Sequence, residues 1–114
     1  MKVSELVGAQ LDYWAAQAEG LDVRYCSDRS YVIVATYQWS PSTRWSEAGP
    51  IIEREKIGLD TWQREWAAQF TFPVTHPTNP KRDPSHHRMN GPTPLVAAMR
   101  TFVASRYGEE VPDE

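Results

Sequence analysis

Residues 94–107 constrain the fold more than any other stretch of the chain. Thr93 and Pro94 open this run and Gly108 closes it. A threonine side chain can accept from a free N–H of the first helical turn. Proline suits the first helical position, where its missing N–H had no partner to lose. Leu95, Met99, Phe102 and Val103 then recur at helical spacing as an apolar stripe. A helix with an apolar stripe has to be covered, so the remaining elements must supply that cover.

Residues 4–19 predict a second helix. Ser4 is placed to cap it, and Leu6, Val7, Leu11, Trp14, Ala15 and Ala18 return at the same spacing. Gly20 sits where a left-handed C-terminal residue belongs, and Gly8 offers a later starting point. Residues 22–27 and 30–37 predict strands, because Val23, Tyr25 and the run Tyr31–Tyr37 are mostly β-branched or aromatic. Ser27–Ser30 is the turn of a hairpin between them. The segment 31–35 is apolar on both faces, which marks a central strand.

Residues 38–50, with two prolines and a glycine, predict a loop, and Ile51–Ile57 after Pro50 a short helix in preference to a strand. Trp62, Trp66 and Phe70 repeat every four residues like a helix, yet 70–75 alternates like a strand, so 62–72 is expected as a strand or a mixed segment. Residues 73–94 hold six of the nine prolines and the polar run 79–88. A long irregular loop follows, of the kind that carries function or lacks order. The expected class is α+β: a small antiparallel sheet packed by an N-terminal and a C-terminal helix. It forms a single domain over 1–114, with a long irregular loop at 73–93 and an acidic tail at 109–114. At 114 residues such a domain buries roughly two thirds of its unfolded surface, enough for one core.

Composition narrows the function. A net charge of −3 argues against a nucleic-acid binder that works by neutralising phosphates, although Lys81, Arg82 and Arg88 form a local basic patch. No stretch approaches the roughly 20 apolar residues of a membrane span, and the N-terminus lacks the apolar run of a signal peptide. A single cysteine, Cys26, excludes an internal disulfide and suits a reducing cytosol; it reads as a small buried hydrophobe. His76, His86 and His87 fit no zinc spacing, and adjacent histidines rarely share one ion. Neither a metal nor a cofactor is expected, and no phosphate-binding glycine loop or dinucleotide fingerprint is present.

The chemistry is concentrated in two segments. One is Trp39-Ser-Pro-Ser-Thr-Arg-Trp45 with Gly49-Pro-Ile-Ile-Glu53; the other is Gly91-Pro-Thr-Pro-Leu-Val-Ala-Ala-Met-Arg100. Each joins an indole or proline frame to small hydroxyls and a charge. A core has no need of that mixture, because a buried polar group costs free energy unless satisfied. A binding site does need it, because a few polar groups fix a ligand's orientation. The candidate ligand-binding residues are Trp39, Ser42, Thr43, Trp45, Glu53, Thr93 and Arg100. Trp39 or Trp45 would stack on a planar group while the hydroxyls take polar atoms. Arg100 would reach a phosphate or carboxylate, or pair with Glu53. Pro92 and Pro94 leave the helix start fewer N–H groups for an anion. The structural alternative is a loop whose tryptophans plug the core beside a well-capped helix. A lone Glu53 makes no acid–base pair, and no catalytic residue is assigned.

Several of these segments carry a likeness. Met1-Lys-Val-Ser-Glu-Leu6, Leu11-Asp-Tyr-Trp-Ala-Ala16, Tyr37-Gln-Trp-Ser-Pro-Ser-Thr-Arg-Trp45, Gly49-Pro-Ile-Ile-Glu53 and Asn90-Gly-Pro-Thr-Pro-Leu-Val-Ala-Ala-Met-Arg100 resemble the NinX-like proteins of tailed phages and prophages. The likeness spans most of the chain and is weakest over 73–88. It implies a small accessory protein made in the bacterial host cytoplasm, and it supplies no catalytic residues. The leading expectation is a non-enzymatic small-molecule-binding protein with a nucleotide-like or phosphorylated ligand. The competing class is a module that binds a host or phage protein through the 73–90 loop, and an enzyme acting on a metabolite is the weakest of the three. The sequence leaves the oligomeric state open.

Overall fold

A short 3-10 turn at Val3–Glu5 begins the chain and α1, Gly8–Glu19, follows it. The computed structural model describes residues 1–26, 28–70 and 88–112. Leu6 and Val7 are extended, so Ser4 does not cap α1. The helix starts at Gly8, whose φ of 56° is one that only glycine adopts cheaply. Gly20 closes it in the left-handed conformation, its N–H donating to Ala16 O and Gln17 O.

Next come β1, Val23–Cys26, and β2, Tyr31–Val34, an antiparallel hairpin with Asp28 and Arg29 at positive φ in its turn. A further strand, β3, Tyr37–Gln38, pairs with the other edge of β2. The central strand expected over 30–37 is therefore divided, because Ala35 takes a φ of 58° and reverses the chain. Val32 and Val34 are buried while Tyr31 and Ile33 are half-buried, so β2 is covered more on one face than the other. Cys26 is likewise half-buried, not enclosed.

The largest departure from expectation is α2, Trp45–Glu55. It starts inside the segment expected as loop and carries Pro50 in its interior, where the ring removes one backbone donor. Burial of Ala48 and Ile51 against the core outweighs that local penalty. Of the expected helix 51–57, only 51–55 is helical. Lys56 takes a left-handed φ of 59° and Ile57 leaves as a strand.

That strand is β4, Ile57–Trp62, joined to β5, Glu65–Phe70, by Gln63 and Arg64. Both turn residues have positive φ, as a tight hairpin matching the strand twist requires. The four-residue repeat is thus a strand feature, since an even spacing puts Trp66 and Phe70 on one face of β5. A last strand, β6, Met89–Gly91, pairs with β5 through Trp66↔Gly91, so the stretch expected to be irregular ends in a strand. The described residues form two three-stranded antiparallel sheets, β1-β2-β3 and β4-β5-β6, where one was expected; the class is α+β. The readings made for Lys81, Arg82 and the three histidines, and for most of the 73–90 loop, lie outside the described residues.

The helix α3, Pro94–Tyr107, has the bounds its sequence predicts. Val96 N–H donates to Thr93 Oγ1 at 3.1 Å, and Gly108 N–H donates to Ala104 O at 2.8 Å. Its burial goes beyond a stripe, because every residue from Leu95 to Ser105 is buried. The helix is the centre of the molecule, packed by α1, α2, β4, β5 and β6. Gly91 shows how tight that packing is. A Cβ built there would lie 2.8 Å from Ala97 N, so the strand reaches the helix backbone only because this residue has no side chain. Beyond α3 the chain returns to its start: Val3 N–H donates to Glu109 O at 2.9 Å, and the Met1 amino group donates to Val111 O at 2.8 Å. The first part of the acidic tail is pinned there.

Candidate functional site

The loop before α2 is held from beneath by Asp12. This carboxylate lies on α1 between Leu11 and Trp14, is only 4% exposed, and accepts from Ser42 N–H at 2.8 Å. Burial pushes the Asp12 carboxyl up to about 6. The Ser42 backbone and hydroxyl act against that rise, and the nearby Glu47 charge adds to it. The Ser42 hydroxyl sits beside the carboxylate without reaching hydrogen-bond geometry. It is buried with no hydrogen-bond partner among the described residues.

The two tryptophans of this segment part company. Trp39 is 6% exposed and belongs to the core, as the structural alternative expected. Trp45 opens α2 and is 54% exposed. With Ser42 and Thr43 it faces Thr93, Pro94 and Leu95 across a cavity of about 280 Å³. Two segments far apart in sequence, both singled out for their chemistry, therefore line one cavity. The first turn of α3 has little to offer an anion there. Pro94 has no N–H, and Thr93 already takes that of Val96.

Glu53 and Arg100 are placed elsewhere. Glu53 is exposed on α2 and does not line this cavity. Arg100 does not pair with it. Its guanidinium turns to backbone carbonyls that the 3-10 turn and β6 leave within reach, donating from Nε to Leu6 O at 2.9 Å and from Nη1 to Asn90 O at 2.7 Å. Burial holds its pKa below the usual arginine value, and the charge of Glu65 works against that fall. Arg100 lines a second cavity, of about 520 Å³, with Ser4, Glu65, Arg88, Met89 and Asn90.

The family model described as Bacteriophage P22, NinX matches residues 2–106. The chain belongs to that family. The matched span includes every residue named for either cavity. A comparison with curated proteins gave no match.

In this NinX-family chain, no helix among the described residues is long and apolar enough to cross a membrane. No group of three or more His, Cys, Asp or Glu among those residues is placed to hold a metal ion. Sequence reasoning missed Asp12, though a carboxylate set in the apolar run Leu11–Trp14 was a readable signal. It also missed Ser4, Glu65, Arg88 and Asn90 around Arg100. They come from three separate segments, and no spacing rule links them.

Proposed function

We propose that this phage accessory protein is a stoichiometric small-molecule-binding protein of the host cytoplasm, with its site in the cavity between Trp45 and the start of α3. The observation that carries the reading is the convergence of Ser42, Thr43 and Trp45 on Thr93–Leu95. The exposed face of Trp45 supplies a stacking surface, and the oxygen of the exposed Thr43 hydroxyl, whose proton goes to Ser40 O, supplies an acceptor. The volume is small and suits a single planar ring system, such as the base of a nucleotide-like ligand. The carboxylate behind Ser42 and the blocked helix start disfavour a phosphate at this place. The lining groups stack and hydrogen-bond, so the reading is of holding a ligand without turning it over.

The test is native mass spectrometry of the protein purified from infected cells, followed by calorimetry with nucleosides and nucleotides. A retained small molecule is expected. Trp45→Ala should weaken base binding by about 1–3 kcal/mol, the worth of one base–aromatic stack. No retained molecule and no nucleoside binding at millimolar concentration would overturn the reading. A captured host or phage protein, lost on deleting residues 73–87, would favour the interaction module instead.

A further inference from the structure

Packing alone does not explain Arg100. It is 8% exposed, and a buried charge is expensive unless paired. Its partners are two neutral carbonyls, Leu6 O and Asn90 O, and no carboxylate forms an ion pair with it among the described residues. A guanidinium carries five N–H donors in a rigid fork. The two carbonyls use one on Nε and one on Nη1, which leaves three on the terminal nitrogens. The same carbonyls fix the plane of the fork, so the remaining donors are pre-aimed. Arg100 lines a cavity of about 520 Å³, large enough for a metabolite-sized ligand.

The rest of the lining is consistent with that orientation. Arg88 brings a second positive charge to the cavity and is steadied by its bond from Nη1 to Gln69 Oε1 at 3.0 Å. Ser4 and Asn90 are neutral polar residues of the same lining. Glu65 is the one acid in the described lining, and its charge acts on Arg100.

We propose that Arg100 and Arg88 form a binding site for a small oxyanion, the carboxylate or phosphate group of a metabolite. A planar fork with spare N–H groups matches an oxyanion at two points. The entering anion meets a cation whose direct partners are neutral carbonyls. Glu65 opposes entry and so sets the affinity low enough for release. The site shares no described lining residue with the Trp45 cavity and does not depend on it.

The test is an NMR titration of the full chain, following the Arg100 Nε–H signal at constant ionic strength. Inorganic phosphate and succinate are the probes. A saturable shift with either supports the site, and the stronger probe identifies the preferred group. Arg88→Gln should weaken binding about two- to fivefold and Glu65→Gln should tighten it by a similar factor, the range of a partly exposed charge contact. Both residues are exposed, so the fold survives either change, as the amide spectrum will verify. Trp45→Ala should leave the shift unaltered, which separates this site from the first cavity. No saturation up to tens of millimolar, or a shift indifferent to both Arg88 and Glu65, would overturn the proposal and leave Arg100 as a structural tie.

Discussion

Replacing Asp12 by Asn should stabilise the protein at neutral and alkaline pH and do little in acid. The folded carboxyl titrates at about 6, raised from 3.8 chiefly by burial. The folded state therefore binds this proton more tightly than the unfolded chain does. Below pH 3.8 both states are protonated and the group contributes nothing. Between that value and about 6, stability falls as pH rises. Above about 6 the full cost of carrying a buried charge is present. At about 1.4 kcal/mol per pH unit, the rise from 3.8 to about 6 is worth about 3 kcal/mol. That is a large share of the roughly 5–15 kcal/mol by which a domain is stable.

Asparagine keeps an oxygen to accept from Ser42 N–H and has no charge to bury. Urea titrations of the protein and of Asp12→Asn, at fixed ionic strength from pH 4 to 8, read the difference directly. The variant should lead by up to about 3 kcal/mol at pH 8, with the gap closing toward pH 4. All other groups titrate alike in the two proteins and cancel. A gap independent of pH, or one that widens toward acid, would refute the argument that Asp12 is charged and desolvated in the folded state.

Other expectations follow from the same geometry. Gly91→Ala should cost about 1–3 kcal/mol, because its methyl group meets the backbone of Ala97, which cannot swing aside; a loss within about 0.3 kcal/mol of zero would show that β6 can retreat from α3. Phe102→Ala should cost about 3–5 kcal/mol, since the ring is fully buried at the centre of the core; calorimetric unfolding showing less than about 1 kcal/mol would remove it from the core. Glu55 behaves oppositely to Asp12. Burial works to raise its pKa, but Arg54 and Arg106 hold it below 4.5, so its stabilisation exists above that value and is lost as pH falls. Glu55→Gln should therefore lose its disadvantage in acid, and a disadvantage that persists unchanged to pH 3 would count against the ion pairs.

What was legible in the sequence is what local chemistry decides. The bounds of α3 follow from Thr93, Pro94 and Gly108, each of which fixes one end by its own backbone or side-chain preference. Gly20 ends α1 for the same kind of reason. What was not legible is what packing decides. The helix α2 accepts Pro50 because Ala48 and Ile51 bury against the core, and nothing in its own residues shows that benefit. The repeat of Trp62, Trp66 and Phe70 fits a helix and a hairpin equally until Gln63 and Arg64 adopt positive φ. The candidate site follows the same division. Its hydroxyl and indole residues announce a polar cavity, and Ser42, Thr43, Trp45 and Thr93 do meet in one. Trp39 has the same composition around it and goes into the core, because only the tertiary fold chooses which indole turns outward.

The helix α3 makes the general point sharpest. A helix buried on all sides can carry a polar residue only where a neighbouring acceptor waits for it. Thr101 has one hydroxyl proton, and Ala68 O takes it at 2.9 Å. Ser105 has one, and Phe102 O takes it at 2.6 Å. Both are complete, Thr101 through strand β5 and Ser105 through its own helix. Arg100 is held, like Thr101, by backbone carbonyls of neighbouring segments, but with five donors and only two of them used among the described residues. A methionine or leucine would fill that position in a purely structural helix without the charge. The polar residue of α3 that packing leaves unexplained is thus the one that lines the cavity of about 520 Å³, and that is the physical reason to look for an anion there.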